Sequence, residues 1–503
     1  MSTRVLVVGG GLAGLLAARR HLRAGRRVVL LEAGDAVGGA IASARLEEAG
    51  GLALNTGAEA YSTASGAVDA LVAELGLAAQ VVAPREGLGS HVVSDAGVHR
   101  APAGALLGVP GHPLAADVRA VLGTAGALRA SLERLLPASY GAREGATVAE
   151  VVGRRLGPKV LQRLVAPVVG GVHSADPATL EFAAASPALR RGLTEHGSLV
   201  AAVHRLRGGA GQRRAGQRGG ASAGTRVHAL TPTMAALPET LRAQLLDGGA
   251  ILRTGVEVTG LDRAAAADTS TSTAAWTVRT SREERLEADH LVLACPPDTA
   301  RDLLRAAAPE IAGAIPQAPS AAVRLVALVL DAPALDALPA GTGALVAPGT
   351  AGIGAKALTH ASAKWEHVQQ ALREALPAAA SPHLLRLSYG RPGEQLPGRE
   401  EIVDLALADA SAILGMQLGR AQLLDAAVID WDRAMRQARP GHRAALETLT
   451  ALLAEREDLD LVGAWRAGTG LDAIVRADRA AADRSTTAHS APTHSAPTEG
   501  HHR

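Results

Sequence analysis

The stretch Val5-Leu-Val-Val-Gly-Gly-Gly-Leu-Ala-Gly14 decides the fold of this 503-residue chain. Its apolar run predicts a strand, and Gly9, Gly11 and Gly14 then follow the G-x-G-x-x-G spacing that opens a helix. A second strand ends on Glu32. These glycines allow backbone N–H groups to approach a pyrophosphate closely, while the acid accepts hydrogen bonds from a ribose. Three glycines among 56 are a weak signal, so the predicted dinucleotide site depends on the strand–turn–helix–strand–acid order.

Further segments extend this site. Gly38-Gly39 follows the acid, Leu54-Asn-Thr-Gly-Ala-Glu-Ala-Tyr61 comes next, and Gly463-Ala-Trp-Arg-Ala-Gly-Thr-Gly-Leu-Asp-Ala-Ile474 lies near the other end of the chain. This order resembles the flavin amine oxidase and protoporphyrinogen oxidase superfamily, in which such segments hold FAD. One departure is Ala40, which stands where relatives usually have Arg or Lys.

Composition excludes several classes of protein. A hydrophobic fraction of 48% is typical of a globular chain, and 503 residues are too many for one ordinary core. The net charge of +2 does not indicate nucleic-acid binding. No signal peptide is evident, and no apolar run predicts a transmembrane helix. We therefore expect a cytoplasmic protein of two or more domains, with at most peripheral contact at the inner face of the membrane.

Cys295 is the only cysteine, which excludes an intramolecular disulfide and multi-cysteine zinc or iron–sulfur sites. The histidines of the C-terminal tail lie in a polar repeat that predicts disorder, and we predict no metal site. Cys295 lies far from the C-terminal flavin segment, whereas monoamine oxidases attach FAD through a cysteine close to that segment. We therefore expect a buried packing thiol and non-covalent FAD.

The predicted fold class is α/β, α+β overall, with a Rossmann-like FAD-binding domain assembled from discontinuous segments. Alternating strands after residue 320 predict a mixed-sheet substrate domain, and the periodic stretch 148–164 belongs to a helical lobe. Arg154 and Arg155 on that helix are interpreted as a solvated ion-pair face. The predicted units are FAD-binding parts at 1–77, 226–300 and 431–480, a helical substrate or membrane-type lobe at 78–204, a flexible Arg/Gly-rich linker at 205–225, a substrate-binding sheet domain at 301–430, and a disordered His/Pro tail at 481–503.

The middle of the chain narrows the resemblance. Its motifs, in chain order, are Glu150-Val-Val-Gly-Arg-Arg-Leu-Gly157, Ala166-Pro-Val-Val-Gly-Gly-Val-His-Ser-Ala-Asp-Pro-Ala-Thr-Leu180, Ser362-Ala-Lys-Trp365, Arg386-Leu-Ser-Tyr-Gly-Arg391 and Gly441-His442. This ordered set is similar to the protoporphyrinogen/coproporphyrinogen oxidase family. No arginine occurs between Arg45 and Arg85, where plant and animal relatives have one. That absence resembles the bacterial branch, which oxidises coproporphyrinogen III.

The resemblance implies a six-electron oxidation of a porphyrinogen in haem biosynthesis. FAD would take the electrons in three two-electron steps and pass them to oxygen, releasing hydrogen peroxide. The expected substrate is coproporphyrinogen III, with protoporphyrinogen IX as the alternative. A transient contact with ferrochelatase is a further prediction. Aromatisation supplies the driving force, so a strong base is not required, and we assign no catalytic acid or base.

The resemblance also implies which residues bind the cofactor. They are Gly9, Gly10, Gly11, Leu12, Ala13, Gly14, Glu32, Ala33, Gly38, Gly39, Ala40, Gly57, Ala58, Glu59, Ala60, Val258, Trp431, Gly463, Thr469, Gly470, Leu471 and Ile474. For the substrate pocket we expect Val172, His173, Lys364 and Trp365. A core position for Trp365 and a structural role for His173 fit the sequence equally well.

Two other interpretations stay open at this point. Another flavin amine oxidase-type enzyme, such as an amine oxidase or a carotenoid desaturase, explains the two ends of the chain but not the central motifs. A flavoprotein without turnover explains Ala40 and the unusual Thr231-Pro-Thr233 turn.

Overall fold

The computed structural model describes residues 2–212, 227–263 and 274–489, and the elements below lie in these ranges. The strands are β1 (Arg4–Val8), β2 (Arg27–Leu31), β3 (Ser43–Leu46), β4 (Leu52–Asn55), β5 (Tyr61–Ser62), β6 (Val81–Val82), β7 (His91–Ser94), β8 (Gly97–Arg100), β9 (Ala105–Leu106), β10 (Val109–Pro110), β11 (Val227–Leu230), β12 (Ile251–Arg253), β13 (Val258–Arg263), β14 (Trp276–Thr280), β15 (Arg285–Ala288), β16 (His290–Leu293), β17 (Ser320–Asp331), β18 (Gly343–Val346), β19 (Ala357–His360), β20 (Pro382–Tyr389), β21 (Leu423–Arg436) and β22 (Leu459–Leu461). The helices are α1 (Leu12–Arg23), α2 (Ala67–Glu74), α3 (Ala116–Ser131), α4 (Val148–Leu156), α5 (Pro158–Val160), α6 (Ala166–His173), α7 (Phe182–Ala185), α8 (Pro187–His196), α9 (Leu199–Gln212), α10 (Ala236–Asp247), α11 (Pro297–Ala307), α12 (Pro309–Ala314), α13 (Ala361–Lys364), α14 (Glu366–Ala375), α15 (Ile402–Leu414), α16 (His442–Ala454), α17 (Ala464–Ala467) and α18 (Leu471–His489).

A parallel sheet of strands from distant parts of the chain forms the first layer, in the order β12-β2-β1-β16-β22. Successive residues of β1 point to opposite faces. Val5 and Val7 join the apolar core that includes α1 and α10, whereas Leu6 and Val8 join the core that includes α11 and α16. Burial on both faces explains the unbroken apolar run of β1. The predicted Rossmann-like domain built from discontinuous segments is confirmed.

A second, mixed sheet has the order β21-β17-β20-β19-β18-β7-β8, and its neighbours are antiparallel except for β18 and β7. This confirms the predicted mixed sheet and corrects two boundaries. Strands β7 and β8 come from the segment 78–204, which we expected to be helical, because strands of four residues show too little alternation to be recognised. The boundary predicted between 430 and 431 falls inside β21, which pairs with β17 on both sides of that point.

Helices α3 to α9 contribute to a lobe with its own apolar core, in which Val121, Val151 and Leu193 are buried. Helix α4 begins at a capping box: the Thr147 hydroxyl accepts from the Glu150 N–H, and the Glu150 carboxylate accepts from the Thr147 N–H. The predicted helical lobe is therefore present, with its apolar stripe turned inward.

Arg155 corrects the interpretation of this helix as a solvated ion-pair face. The Arg155 side chain is 0% exposed, and so is the side chain of Glu133. The Arg155 Nε donates a hydrogen bond to the Glu133 carboxylate at 2.7 Å. The remaining guanidinium N–H groups donate to carbonyls, including that of Gly197 at 2.8 Å. A buried guanidinium is tolerated only when it is paired and hydrogen-bonded in this way. Arg154, one residue earlier, is exposed.

The predicted flexible linker and the predicted disordered tail both begin too early in the sequence. Helix α9 continues to Gln212 and α18 continues to His489, past the expected starts at 205 and 481. Alanine and arginine favour helices, and the composition-based prediction missed this contribution. Residues 213–225 of the predicted linker and 490–503 of the predicted tail lie outside the described residues. Within the described ranges, none of the helices combines the length and the apolar character that a membrane crossing needs.

Candidate functional site

Gly9, Gly11 and Gly14 form the turn between β1 and α1. Gly9 has φ +105°, and a Cβ on Gly14 would lie 1.9 Å from the Gly9 carbonyl oxygen, so only glycine fits these two positions. Gly11 differs, because a Cβ there would meet no atom of the described residues within 4 Å. Helix α1 also starts at Gly11 without a side-chain cap. Its first N–H groups therefore have no side-chain acceptor, as at an anion-binding helix end.

A second glycine turn packs against the first. The Gly38 N–H donates to the Gly10 carbonyl at 2.9 Å. A Cβ on Gly39 would lie 3.2 Å from the Gly11 Cα. The close approach of the two backbones depends on glycine at both turns, and it brings the predicted segments 9–14 and 38–40 together.

Glu32 is held at the end of β2 by backbone groups. Its carboxylate accepts from the Gly10 N–H at 2.6 Å and from the Gly34 N–H at 2.8 Å. A carboxylate has about four acceptor sites, so two stay free for ribose hydroxyls. The Glu32 carbonyl accepts from Val256 at 3.0 Å, which places Val258 two residues beyond this contact. The Val258 side chain is 6% exposed and packs in the core.

A third glycine-containing segment, residues 54–61, meets the mixed sheet at Gly57. A Cβ there would lie 2.1 Å from the Ala40 carbonyl oxygen and 3.1 Å from Cζ2 of Trp431. The same Ala40 carbonyl accepts from the Ala58 N–H at 2.8 Å, and the Trp431 indole N–H donates to the Thr56 carbonyl at 2.9 Å. The structure thus brings residues 57–58, Ala40 and Trp431 together.

The C-terminal segment completes this region. Gly463 has φ +140° and precedes α17, and α18 begins directly after Gly470. Leu471 and Ile474 pack against the apolar core that contains α1. The Asp472 carboxylate accepts a hydrogen bond from the Ser65 hydroxyl. The start of α18 therefore lies against the Rossmann-like domain.

A charged cluster lies beneath the third segment. Glu59 accepts from the Trp365 indole N–H, from Lys364 Nζ at 3.5 Å and from Arg386 Nη1 at 3.2 Å. Burial alone would raise the pKa of Glu59, but Lys364, Arg386 and Trp365 hold it below its usual value. Trp365 is 1% exposed and belongs to the apolar core. This burial fits the core position that the sequence also allowed for Trp365, and its role in a substrate pocket stays a prediction.

Val172 and His173 lie elsewhere, at the C-terminal end of α6 in the helical lobe. Val172 is 52% exposed, and burial lowers the pKa of His173. The next residue, Ser174, has φ +46° and accepts from Lys356 Nζ at 2.7 Å. The same amine donates to the Gly390 carbonyl at 2.8 Å, so the end of α6 is tied to the mixed sheet.

Two contributors were missed as site residues. Arg386 lies on β20 between Leu385 and Leu387, so a single cation in an apolar alternating strand was the available signal. The Asn55 side chain accepts from the Met234 N–H at 2.8 Å and joins the third segment to the start of α10. No local pattern predicts this contact, because the two residues are far apart in the sequence.

Cys295 is buried, as predicted, and burial raises the pKa of its thiol to about 12. Its carbonyl accepts from the Trp465 indole N–H at 3.3 Å. The thiol is therefore protonated at physiological pH and is a poor nucleophile.

The sequence of the chain is similar to those of known proteins. The chain matches the family described as flavin containing amine oxidoreductase over residues 12–483. A protein of Mycobacterium leprae (strain TN) named coproporphyrinogen III oxidase is 29% identical over 485 residues, which cover 94% of this chain and 95% of the relative. A protein of the same name from Bacillus subtilis (strain 168) is 24% identical over 95% of this chain and 96% of its own length.

A solved structure from Exiguobacterium sp. 255-15, which carries a provisional protoporphyrinogen oxidase name, is similar with a TM-score of 0.76 at 21% identity, over 97% of this chain and 99% of that one. Wild-type putrescine oxidase bound to putrescine is similar with a TM-score of 0.61 at 15% identity, over 97% and 99% of the two chains. These two similarities show a shared fold.

Proposed function

The chain belongs to the flavin containing amine oxidoreductase family, and from this premise we propose that it oxidises coproporphyrinogen III to coproporphyrin III in haem biosynthesis, with FAD as cofactor. Membership makes the chain an oxidoreductase that uses a flavin. The observation that carries the finer proposal is similarity along the whole chain to relatives named coproporphyrinogen III oxidase, at 94% coverage of this chain and 95% of the relative in one case. The central motifs, which other flavin amine oxidases do not explain, support it.

The glycine turns fit the diphosphate of FAD. A Cβ on Gly11, at the uncapped start of α1, and a Cβ on Gly470, just before α18, would each meet no described atom within 4 Å. Glu32 keeps acceptor sites for a ribose. We propose that residues 9–14, 38–40, 57–60 and 469–474 hold FAD, with Trp431 beside them. When bound, FAD supplies a group that accepts two electrons at a time.

The attachment of this cofactor is proposed to be non-covalent. Cys295 is the only cysteine in the sequence. A thiol whose pKa is raised to about 12 by burial stays protonated, and a thioether bond requires a reactive thiolate. Denaturation should therefore release free FAD.

The proposed reaction balances with oxygen as the oxidant. Coproporphyrinogen III loses six electrons and six protons, and three O2 take them up to give three H2O2. We assign no catalytic base, because aromatisation of the macrocycle favours the loss of its protons. We place the reaction in the cytoplasm, with at most peripheral membrane contact, and a contact with ferrochelatase stays a prediction.

The test compares coproporphyrinogen III and protoporphyrinogen IX in equal amounts under air, with porphyrin fluorescence and peroxide as readouts. Porphyrinogens also oxidise spontaneously, so the flavin-free protein provides the background rate. We expect faster oxidation of coproporphyrinogen III and about three H2O2 per porphyrin, from the two-electron chemistry of the flavin. A preference for protoporphyrinogen IX would make that compound the substrate instead. If the flavin-loaded protein oxidises neither porphyrinogen faster than the background rate, the oxidase proposal is refuted.

A further inference from the structure

His21, His290 and Asp460 meet beside the parallel sheet, although they are far apart in the sequence. His21 lies on α1, His290 on β16 and Asp460 on β22. One potential ligand atom of each lies within 4.8 Å of the other two, and among the described residues this is the one group of at least three such side chains. His21 is 3% exposed and His290 is 9% exposed. Nothing in the proposed oxidation uses these residues.

The two imidazoles aim unsatisfied nitrogen atoms at the carboxylate. Nε2 of His21 and Nε2 of His290 are both buried without a hydrogen-bond partner among the described residues. The Nδ1 atom of His290 lies 2.8 Å from the Glu457 carbonyl oxygen, which requires a proton on Nδ1. In the neutral ring, Nε2 is then an acceptor that faces Asp460 Oδ2 at 3.4 Å. Two acceptors at this distance repel each other unless a cation or proton lies between them.

The distances suit a zinc ion. Ligand atoms about 2.0–2.1 Å from a tetrahedral Zn2+ lie about 3.3 Å from each other, close to the 3.4 Å between His290 Nε2 and Asp460 Oδ2. His21 Nε2 lies 3.8 Å from the same oxygen, and the three ligand atoms all lie within 4.8 Å of one another, so the His21 ring has to move closer to both partners to complete the geometry. The Glu457 carbonyl already supplies the outer hydrogen bond that orients a metal-binding histidine.

Two arginines compete with a cation at this place. Arg20 Nη2 lies 3.6 Å from Asp460 Oδ2, but its Nε donates to Asp478 at 3.2 Å, which offsets its charge. Arg26 Nη1 donates to His21 Nδ1 at 3.0 Å. A His21 ring that binds a metal through Nε2 carries its proton on Nδ1, so the Arg26 contact must open when the metal binds.

We propose that His21, His290 and Asp460 form a Zn2+ site with three protein ligands and a water molecule in the fourth position. The Asp460 side chain is 39% exposed, which gives the ion a path from solvent. A metal at this position joins α1 to β16 and β22. The site would therefore fasten the helix whose N-terminus carries the Gly9–Gly14 turn to the sheet behind it.

The test uses the flavin-loaded, full-length protein, treated with a chelator and then titrated with Zn2+ by calorimetry. We expect one tight equivalent that raises the melting temperature. His290→Gln and Asp460→Asn should each lower the affinity for this equivalent at least about 100-fold, at the upper end of losses caused by altered metal surroundings. Arg26→Gln should tighten it, because it removes the donor that competes for His21.

The surface pair of His112 and His204, whose nitrogens lie 3.1 Å apart, provides a matched control. His112→Gln should leave the tight equivalent unchanged, whereas loose equivalents on surface and tail histidines should persist in His290→Gln. Zinc binding that is equal in wild type, His290→Gln and Asp460→Asn would overturn the proposal. If both variants unfold, the wild-type protein is titrated with Co2+ instead. The absence of the intense visible absorption bands of tetrahedral Co2+ would then also overturn the proposal.

Discussion

Neutralising Glu59 tests whether the charged cluster beneath the third glycine segment is a buried unit. Glu59→Gln keeps the shape of the side chain but leaves Lys364 and Arg386 without their carboxylate. Coulomb's law at the 3.2 Å between Glu59 and Arg386, with an effective dielectric constant of about 20, gives about 5 kcal/mol before desolvation. Breaking buried pairs costs about 3–5 kcal/mol. Because Glu59 keeps 17% exposure, we expect a loss of about 3 kcal/mol.

Urea denaturation of the flavin-free protein, followed by tryptophan fluorescence at pH 7, measures this loss. Glu366→Gln is the matched control, because it breaks an ion pair with Arg85 in which the Glu366 side chain is 69% exposed, and it should change stability little. The double variant Glu59→Gln/Lys364→Met should recover part of the loss, since it removes one of the unpaired cations.

The pH dependence gives a second check on the same variant. The pKa of Glu59 is lowered in the folded state, so its contribution is present above its unfolded pKa of about 4.5 and is lost as the pH falls through the folded value. The stability difference between wild type and Glu59→Gln should therefore shrink in acid. A loss at pH 7 no larger than that of Glu366→Gln, or a double variant that loses the sum of the single losses, would refute the buried cluster.

Three further predictions concern other parts of the fold. Gly11→Ala should lose bound flavin, measured by absorbance at constant protein, and keep its flavin-free melting temperature; Gly313→Ala, whose added Cβ also meets no described atom within 4 Å, should keep both. Arg155→Met should destabilise the helical lobe by about 3–5 kcal/mol, because it leaves Glu133 charged and buried; calorimetry that shows an unchanged lobe transition would contradict this. In metal-free protein, His21 has its pKa lowered to about 4, so the unfolded chain takes up the proton first and stability falls as the pH drops from 7 to 5, by about 2 kcal/mol from this group. Denaturation of wild type and His21→Gln at both pH values should show that part of the slope disappearing with the imidazole.

The features predicted from the sequence are those in which a local pattern has one physical solution. A β-branched apolar run followed by G-x-G-x-x-G leaves little choice but a buried strand, a tight turn and a helix start, and the structure has β1 and α1 there. The return strand at β16 was visible for the same reason, as an apolar run that ends before Pro296-Pro297. Such segments carry their own boundaries.

The features that escaped prediction depend on contacts between distant segments. Glu59 and Arg386 are separated by 327 residues and meet only through the pairing of the mixed sheet with the third glycine segment. His21 and His290 have ring centroids 4.8 Å apart, but no spacing rule for metal ligands connects them. The ends of α9 and α18 escaped for another reason, because composition describes the average tendency of a segment and not the residue at which a helix stops.

Gly57 shows how parts of the site that are far apart in the sequence depend on one another. A Cβ at this position would come within 2.1 Å of the Ala40 carbonyl oxygen and 3.1 Å of the Trp431 ring. Because Gly57 has no side chain, its backbone, the Ala40 backbone and the Trp431 indole can approach one another closely. Trp431 belongs to β21 of the mixed sheet, and its N–H bond to Thr56 fixes that sheet against the nucleotide-type segment. The mixed sheet therefore contacts the third segment at this junction through groups from both domains, and neither domain forms the contact alone.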